Sequence, residues 1–159
     1  MPFHRYDKPS WSYFITICTW RKTRVLGRFD DNGTLQLNPL GAMVRDAMLT
    51  MPQQRARVRL DAWVVMPNHI HLLITLPDTP PDPMCTSLDY SLGDVIGRWK
   101  AYTTLEYLRG IRMRRWEPFS DQPRLWQRNY YECIVRSPRS FERIRRYILN
   151  NPYPRRRRR

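Results

Sequence analysis

Hydrophobic positions along this chain change their period several times, and each change marks an element. Ser12 to Trp20, SYFITICTW, is rich in aromatic and β-branched residues and reads as a strand. The following stretch, RKTRVLGRFDDNGTLQL, carries turn residues at Asp31, Asn32 and Gly33. Asn38 before Pro39 predicts a helix start, because asparagine caps well and proline tolerates the first helical position. Leu40, Met43, Val44, Ala47, Met48 and Met51 then recur at helical spacing until Pro52 helps to end the run. Arg57 to Val65 returns to strand character, Met66-Pro67-Asn68 turns the chain, and His69 to Leu76 forms a third strand. Two β runs around so short a turn predict an antiparallel hairpin.

Asp78 to Tyr90 holds Pro80, Pro81 and Pro83 and reads as a loop. Ser91 with Asp94 resembles a capping box, and Leu92, Val95, Ile96 and Trp99 continue as a helical face toward Leu108. A basic loop with a tryptophan, Arg109 to Arg124, leads to a strand-like run, Tyr130 to Val135. Ser137-Pro138 starts a last helix with Phe141, Ile144 and Ile148 on one face, stopped by Pro152. The order β-α-β-β-α-β-α predicts an α+β fold in a single domain, with helices packed on one face of an antiparallel sheet.

Composition narrows the partners. The 159 residues suit one domain, and 42% hydrophobic with 13% aromatic residues supply a core. Twenty-eight Lys and Arg against 14 Asp and Glu leave a net charge of +14. So large a surplus repels itself unless an anionic partner neutralises it, and nucleic acid is the first such partner. Cys18, Cys85 and Cys133 are odd in number and far apart, which argues against a disulfide framework or a zinc ribbon. The start, MPFHRYDKPSWSYF, has no apolar stretch of signal-peptide type, and the uncharged run from Ala62 to Pro77 is short for a span and broken by polar residues. A cytoplasmic protein with no membrane partner is expected.

Chemistry concentrates in two places. His69 and His71 are two apart on a predicted strand, so both imidazoles project from the same face. Two readings stand: half-buried sheet residues with satisfied nitrogens, or two ligands for one metal ion. Polar rings in an apolar strand cost free energy unless they gain partners, which shifts the balance toward the second and leaves both open. Tyr147 and Asn151 are four apart on the last helix and share a stripe beside its apolar face. Taken alone, they also fit a core-edge tyrosine and a C-terminal cap.

The segments WVVMPNHIHLLI, LWQRNYYECIVR and RIRRYILNNP, in this order, resemble the single-tyrosine HUH transposases, and most closely the REP-associated tyrosine transposases. The resemblance runs from about Trp11 to Pro152. It implies a ferredoxin-like, HUH endonuclease fold over residues 1–154, followed by a basic tail, Arg155 to Arg159. The His-hydrophobic-His element is His69-Ile70-His71. The resemblance implies that Tyr147 is the nucleophile, that His69 and His71 hold Mg²⁺ or Mn²⁺, and that Asn151 is the third ligand. It further implies cleavage of single-stranded DNA beside hairpin-forming repeats, leaving a 5′-phosphotyrosine and a free 3′-hydroxyl. A covalent link of that kind keeps the bond energy, so a second 3′-hydroxyl can reseal the strand. In one position the chain departs from the pattern: many relatives carry histidine where Cys133 stands.

Basic residues near the end (Arg124, Arg128, Arg136 and Arg143, with Arg139, Arg145, Arg146 and the tail) are candidates to neutralise phosphates. Tyr130, Tyr131, Trp116 and Trp126 lie among them and offer rings for base stacking. Lys100, Tyr102 and Thr103 extend the candidate DNA surface, and Tyr102 is the rival nucleophile. No protein partner is expected, and a monomer is favoured over a dimer. Two other functions compete: a hairpin-DNA binder that does not cut, and an RNA-binding module.

Overall fold

The computed structural model describes residues 10–54, 58–77, 91–119 and 124–151. The proline-rich loop at 78–90, Cys85, Pro152 and the arginine tail lie outside these residues. Strands β1 (Ser10–Cys18), β4 (Arg59–Met66), β5 (His69–Pro77) and β6 (Tyr131–Val135) form one sheet in the order β4-β5-β1-β6. Every neighbouring pair is antiparallel. A small hairpin, β2 (Gly27–Phe29) with β3 (Leu35–Leu37), stands apart. The helices are α1 (Pro39–Leu49), the short α2 (Met51–Gln54), α3 (Leu92–Arg112) and α4 (Pro138–Asn150). The α+β reading holds.

Local chemistry explains the helix starts. Asn38 accepts from the Gly41 N–H, Ser91 from Asp94 and Ser137 from Ser140, so each cap satisfies a donor the helix itself leaves open. The α3 helix runs past Leu108 to Arg112, taking in part of the segment expected as loop. The β2–β3 hairpin was legible only at its turn. Gly33 supplies the left-handed residue there (φ 77°) and the Asp30 carboxylate accepts from the Asn32 and Thr34 N–H groups, but strands of three residues show no alternation.

The expectation that all helices share one face is corrected by the core. On one face, Ile15, Ile17, Ile70, Leu72 and Ile74 pack with Val44, Met48, Val95, Ile96, Trp99 and Tyr107 of α1 and α3. On the opposite face, Ala62, Val64, Met66 and Leu73 pack with Ile148 of α4, flanked by Phe141 and Ile144. Alternating strand residues must point to opposite sides, and both sides of β1, β4 and β5 carry enough apolar surface to bind a helix. The odd-numbered residues of β5 (His69, His71 and Leu73) therefore face α4. A bulge at Asp61, between the Leu60–Ile74 and Ala62–Leu73 pairs, shifts the phase of β4.

Candidate active site

Three strands and one helix supply the site. Register sets Cys18 opposite His69, Thr16 opposite both His71 and Tyr131, and Phe14 opposite both Leu73 and Cys133. All of these lie on the α4 face. The α4 helix lies across that face with Ile148 fully buried, which carries the neighbouring Tyr147 back over β5. The Tyr147 hydroxyl is 3.4 Å from His71 Nε2, and the two ring centroids are 5.4 Å apart. His69 and His71 are themselves 4.7 Å apart, centroid to centroid.

Phe14 lies at the centre of the cluster. Its ring is 5.3 Å from His71, 6.0 Å from Tyr147 and 6.4 Å from Tyr131, with both tyrosines edge-on. Edge-to-face contacts of this kind hold aromatic rings in preferred orientations. His71 is 6% exposed, whereas Tyr147 keeps 44% of its surface open. The phenol is thus oriented from below and reachable from solvent.

The hydrogen bonds behind the imidazoles decide which nitrogens are available. Asn68 Nδ2 donates to the Lys22 carbonyl at 3.3 Å, which turns Oδ1 toward His69. That oxygen can only accept, so His69 Nδ1, 2.7 Å away, carries the proton and Nε2 keeps its lone pair. Thr16 Oγ1 sits 2.8 Å from His71 Nδ1 and can either donate or accept there. The Ile15 backbone, also on β1, favours the protonated form of the ring. Nε2 of His71 faces the Tyr147 hydroxyl.

Both rings are held neutral. Burial first, then the Lys22 charge beside it, lowers the His69 imidazole below its ordinary value. Burial first, then His69, pushes His71 down to about 4, against a weaker opposing pull from the Ile15 carbonyl. Neutral imidazole with a free Nε2 and an anchored Nδ1 is the form that ligates a metal. The donor set therefore fits a divalent ion on two imidazoles. Among the described residues no three His, Cys, Asp or Glu side chains gather. Asn151 is half-buried at the end of α4, one turn beyond Tyr147.

Other sequence candidates fall into two groups. Arg128, Arg136 and Arg143 are exposed, with Arg143 one turn before Tyr147. Arg124 is exposed and lies over the Trp20 ring, 5.0 Å from its centroid. Tyr131 is 59% exposed beside Phe14 and remains available for stacking. Lys100 belongs elsewhere: its ammonium donates to the Gln127 and Arg128 carbonyls at 2.7 and 2.8 Å, so it braces a loop. Tyr130 is half-buried against the α1–α3 core below that ammonium, and burial and Glu132 push its phenol up to about 12. Thr103 is fully buried and accepts from Trp126 Nε1, itself a core group. Trp116 donates to the Tyr107 carbonyl and packs against the core. Tyr102 sits on α3, on the far face of the sheet from the histidines, which removes it as a rival nucleophile. Cys133 is exposed and shares the Phe14 face, so the departure from the family pattern falls beside the site.

Sequence reasoning missed Phe14, Thr16, Asn68 and Lys22. Their signal was present only jointly: Phe14 and Thr16 alternate with Ile15 and Ile17, and Asn68 precedes the histidine pair in the turn.

A four-stranded antiparallel sheet that holds a histidine pair on one central strand, with a helix-borne tyrosine laid over it, defines the class. The family model described as "Transposase IS200 like" matches residues 44–151, and the chain belongs to that family. An uncharacterized protein of Haemophilus influenzae is 35% identical over 152 residues, covering 88% of this chain and 79% of that protein. A solved structure of a REP-associated tyrosine transposase bound to a REP hairpin superposes with a TM-score of 0.57 at 19% identity. That match covers 96% of this chain and 73% of the other, and it shows a shared fold. No helix among the described residues is long and apolar enough to cross a membrane.

Proposed function

We propose that this transposase-family protein is a metal-dependent single-stranded DNA endonuclease and strand transferase that acts through Tyr147. The observation that carries the reading is the Tyr147 hydroxyl 3.4 Å from His71 Nε2, in a site open to solvent on the tyrosine side. In the reaction, the Tyr147 oxygen bonds to the scissile phosphorus and the bond from phosphorus to the 3′ oxygen breaks. The phenolic proton leaves, and the departing 3′ oxygen gains one. The products are a 5′-phosphotyrosine and a free 3′-hydroxyl, and reversal with another 3′-hydroxyl rejoins a strand.

A phenol with an ordinary pKa of about 10 is a weak nucleophile near neutral pH, so charge must be drawn from the phosphate. Mg²⁺ or Mn²⁺ held by His69 and His71, with Asn151 as the third protein ligand, would supply that Lewis-acid polarisation when bound. The chain's own residues do the orienting: Phe14 sets the Tyr147 ring, and Asn68 and Thr16 set the imidazoles. Arg143, Arg136, Arg128 and Arg124 supply charge for the DNA backbone, and Tyr131 supplies a stacking ring. Hairpin-forming repeat DNA is the substrate we propose, since the structurally similar REP-associated transposase is bound to such a hairpin.

The test is a hairpin oligonucleotide labelled at its 3′ end, incubated with Mn²⁺ and run on a denaturing gel. Wild-type protein is expected to form a labelled covalent adduct that disappears with EDTA. The Tyr147→Phe variant is expected to bind the hairpin with unchanged affinity and form none. An adduct of undiminished yield from Tyr147→Phe would refute the assignment. Hairpin binding by wild type with no adduct in Mn²⁺, nor in Mg²⁺ used in its place, would leave a non-cutting DNA binder.

A further inference from the structure

Residues Trp20 to Arg24, between β1 and β2, place three cations in five positions: Arg21, Lys22 and Arg24. All three are exposed, and among the described residues none is paired with a carboxylate. The backbone here is unusual. Arg21 (φ 53°) and Lys22 (φ 56°) are consecutive left-handed residues, a conformation that costs free energy in any L residue with a side chain. Such strain persists only where the surroundings over-determine it, and here they do. The fully buried Thr19 shares its hydroxyl between the Thr23 and Asn68 carbonyls. Backbone bonds join Lys22 to Thr19, Thr23 to Trp20, Trp20 to Leu125 and Leu26 to Pro67.

This rigid loop is tied directly to the site. Asn68 bonds the Lys22 carbonyl with one end of its amide and His69 Nδ1 with the other. Arg21 and Arg124 both lie over the Trp20 ring, at 5.9 and 5.0 Å, so a second segment adds its charge to the same patch.

We propose that this strained loop is a phosphate track for single-stranded DNA, with Lys22 and Arg24 gripping the backbone of nucleotides that flank the scissile phosphate on the His69 side. Tyr147, His71, His69 and Lys22 then follow one another along a single path for the strand. The proposal rests on the nuclease reading above and adds residues which that reading does not use.

The experiment measures binding of an oligothymidylate of about 15 nucleotides by fluorescence anisotropy, in EDTA, as salt rises from about 50 to about 200 mM. The double variant Lys22→Gly/Arg24→Gln removes both charges and also relieves the strain at position 22, so its melting temperature should not fall. Its affinity at the low-salt end is expected to drop about tenfold, and the slope of log K against log salt to fall by about 1.4, for two lost phosphate contacts. Lys22→Arg is expected to behave as wild type. An unchanged slope and affinity in the double variant would overturn the proposal, as would a loss seen with oligouridylate and not with oligothymidylate. Adduct formation by wild type is measured alongside. Adduct with an unchanged slope refutes the loop alone, whereas no adduct from wild type refutes the nuclease.

Discussion

Replacing Asn68 with alanine tests the idea that hydrogen bonds behind the histidines prepare the site. Asn68 has ordinary backbone angles, so alanine fits its turn without strain. The substitution removes two bonds, one to His69 Nδ1 and one to the Lys22 carbonyl. At a net worth of about 0.5–1.5 kcal/mol each, the metal-free protein should lose about 1–3 kcal/mol. For a chain of this size that is a fall in melting temperature of about 5 °C. The more telling effect is on the ring. With no acceptor at Nδ1 the proton is free to move to Nε2, which then cannot ligate a metal or accept from a neighbour. Loss of an outer partner of this sort typically costs 10–100-fold in metal affinity, and we expect a Mn²⁺ loss of about that size. Long-range ¹H–¹⁵N NMR on labelled histidines reads the tautomer directly, and electron paramagnetic resonance of free Mn²⁺ reads affinity. Asn68→Asp provides the contrast, because a carboxylate still accepts from Nδ1 but cannot donate to Lys22. It should keep the tautomer. If Asn68→Ala leaves His69 protonated at Nδ1 and Mn²⁺ binding intact, the Asn68 hydrogen bond does not prepare His69 to bind metal.

Two further expectations concern stability. His71 titrates at 6.5 in the unfolded chain and at about 4 in the folded one, so the unfolded state binds the extra proton. The associated stability is fully present above pH 6.5 and is lost as pH falls toward 4, by on the order of 3 kcal/mol, with His69 acting in the same direction. Urea denaturation of metal-free protein between pH 7 and 4.5 should show the midpoint falling, and a flat or rising midpoint would contradict the burial of a neutral ring. Ile148 is the one residue of α4 that is fully buried, and Ile148→Ala should cost about 2–5 kcal/mol. Hydrogen exchange should show the loss concentrated in residues 138–150, with β5 still protected and adduct yield reduced although Tyr147 is retained. Equal loss of protection in β5 would mean that α4 is not a separable cover on that face.

The amino-acid order alone determined the elements that local chemistry controls. Asn38-Pro39, Ser91 and Ser137-Pro138 announced three helices because caps and proline act within a few bonds, and all three accept the expected N–H groups. The two-residue spacing of His69 and His71 fixed their common face, since strand side chains alternate without exception short of a bulge. Those inferences needed no distant contact. What the tertiary structure decided was pairing across the sheet and the side on which each helix lands. Tyr147 reaches His71 across 76 residues because Ile148, Ile144 and Phe141 find their apolar partners on the face that α1 and α3 leave open. A periodic pattern says that α4 has a buried stripe, but not which of two apolar faces will bury it. The same limit explains Lys100, Tyr130 and Thr103, whose residue types suit a DNA surface but whose partners lie in the protein itself. It explains Thr16 and Lys22 as well: Thr16 meets His71 only through strand register, and Lys22 reaches the site only through its carbonyl's bond to Asn68.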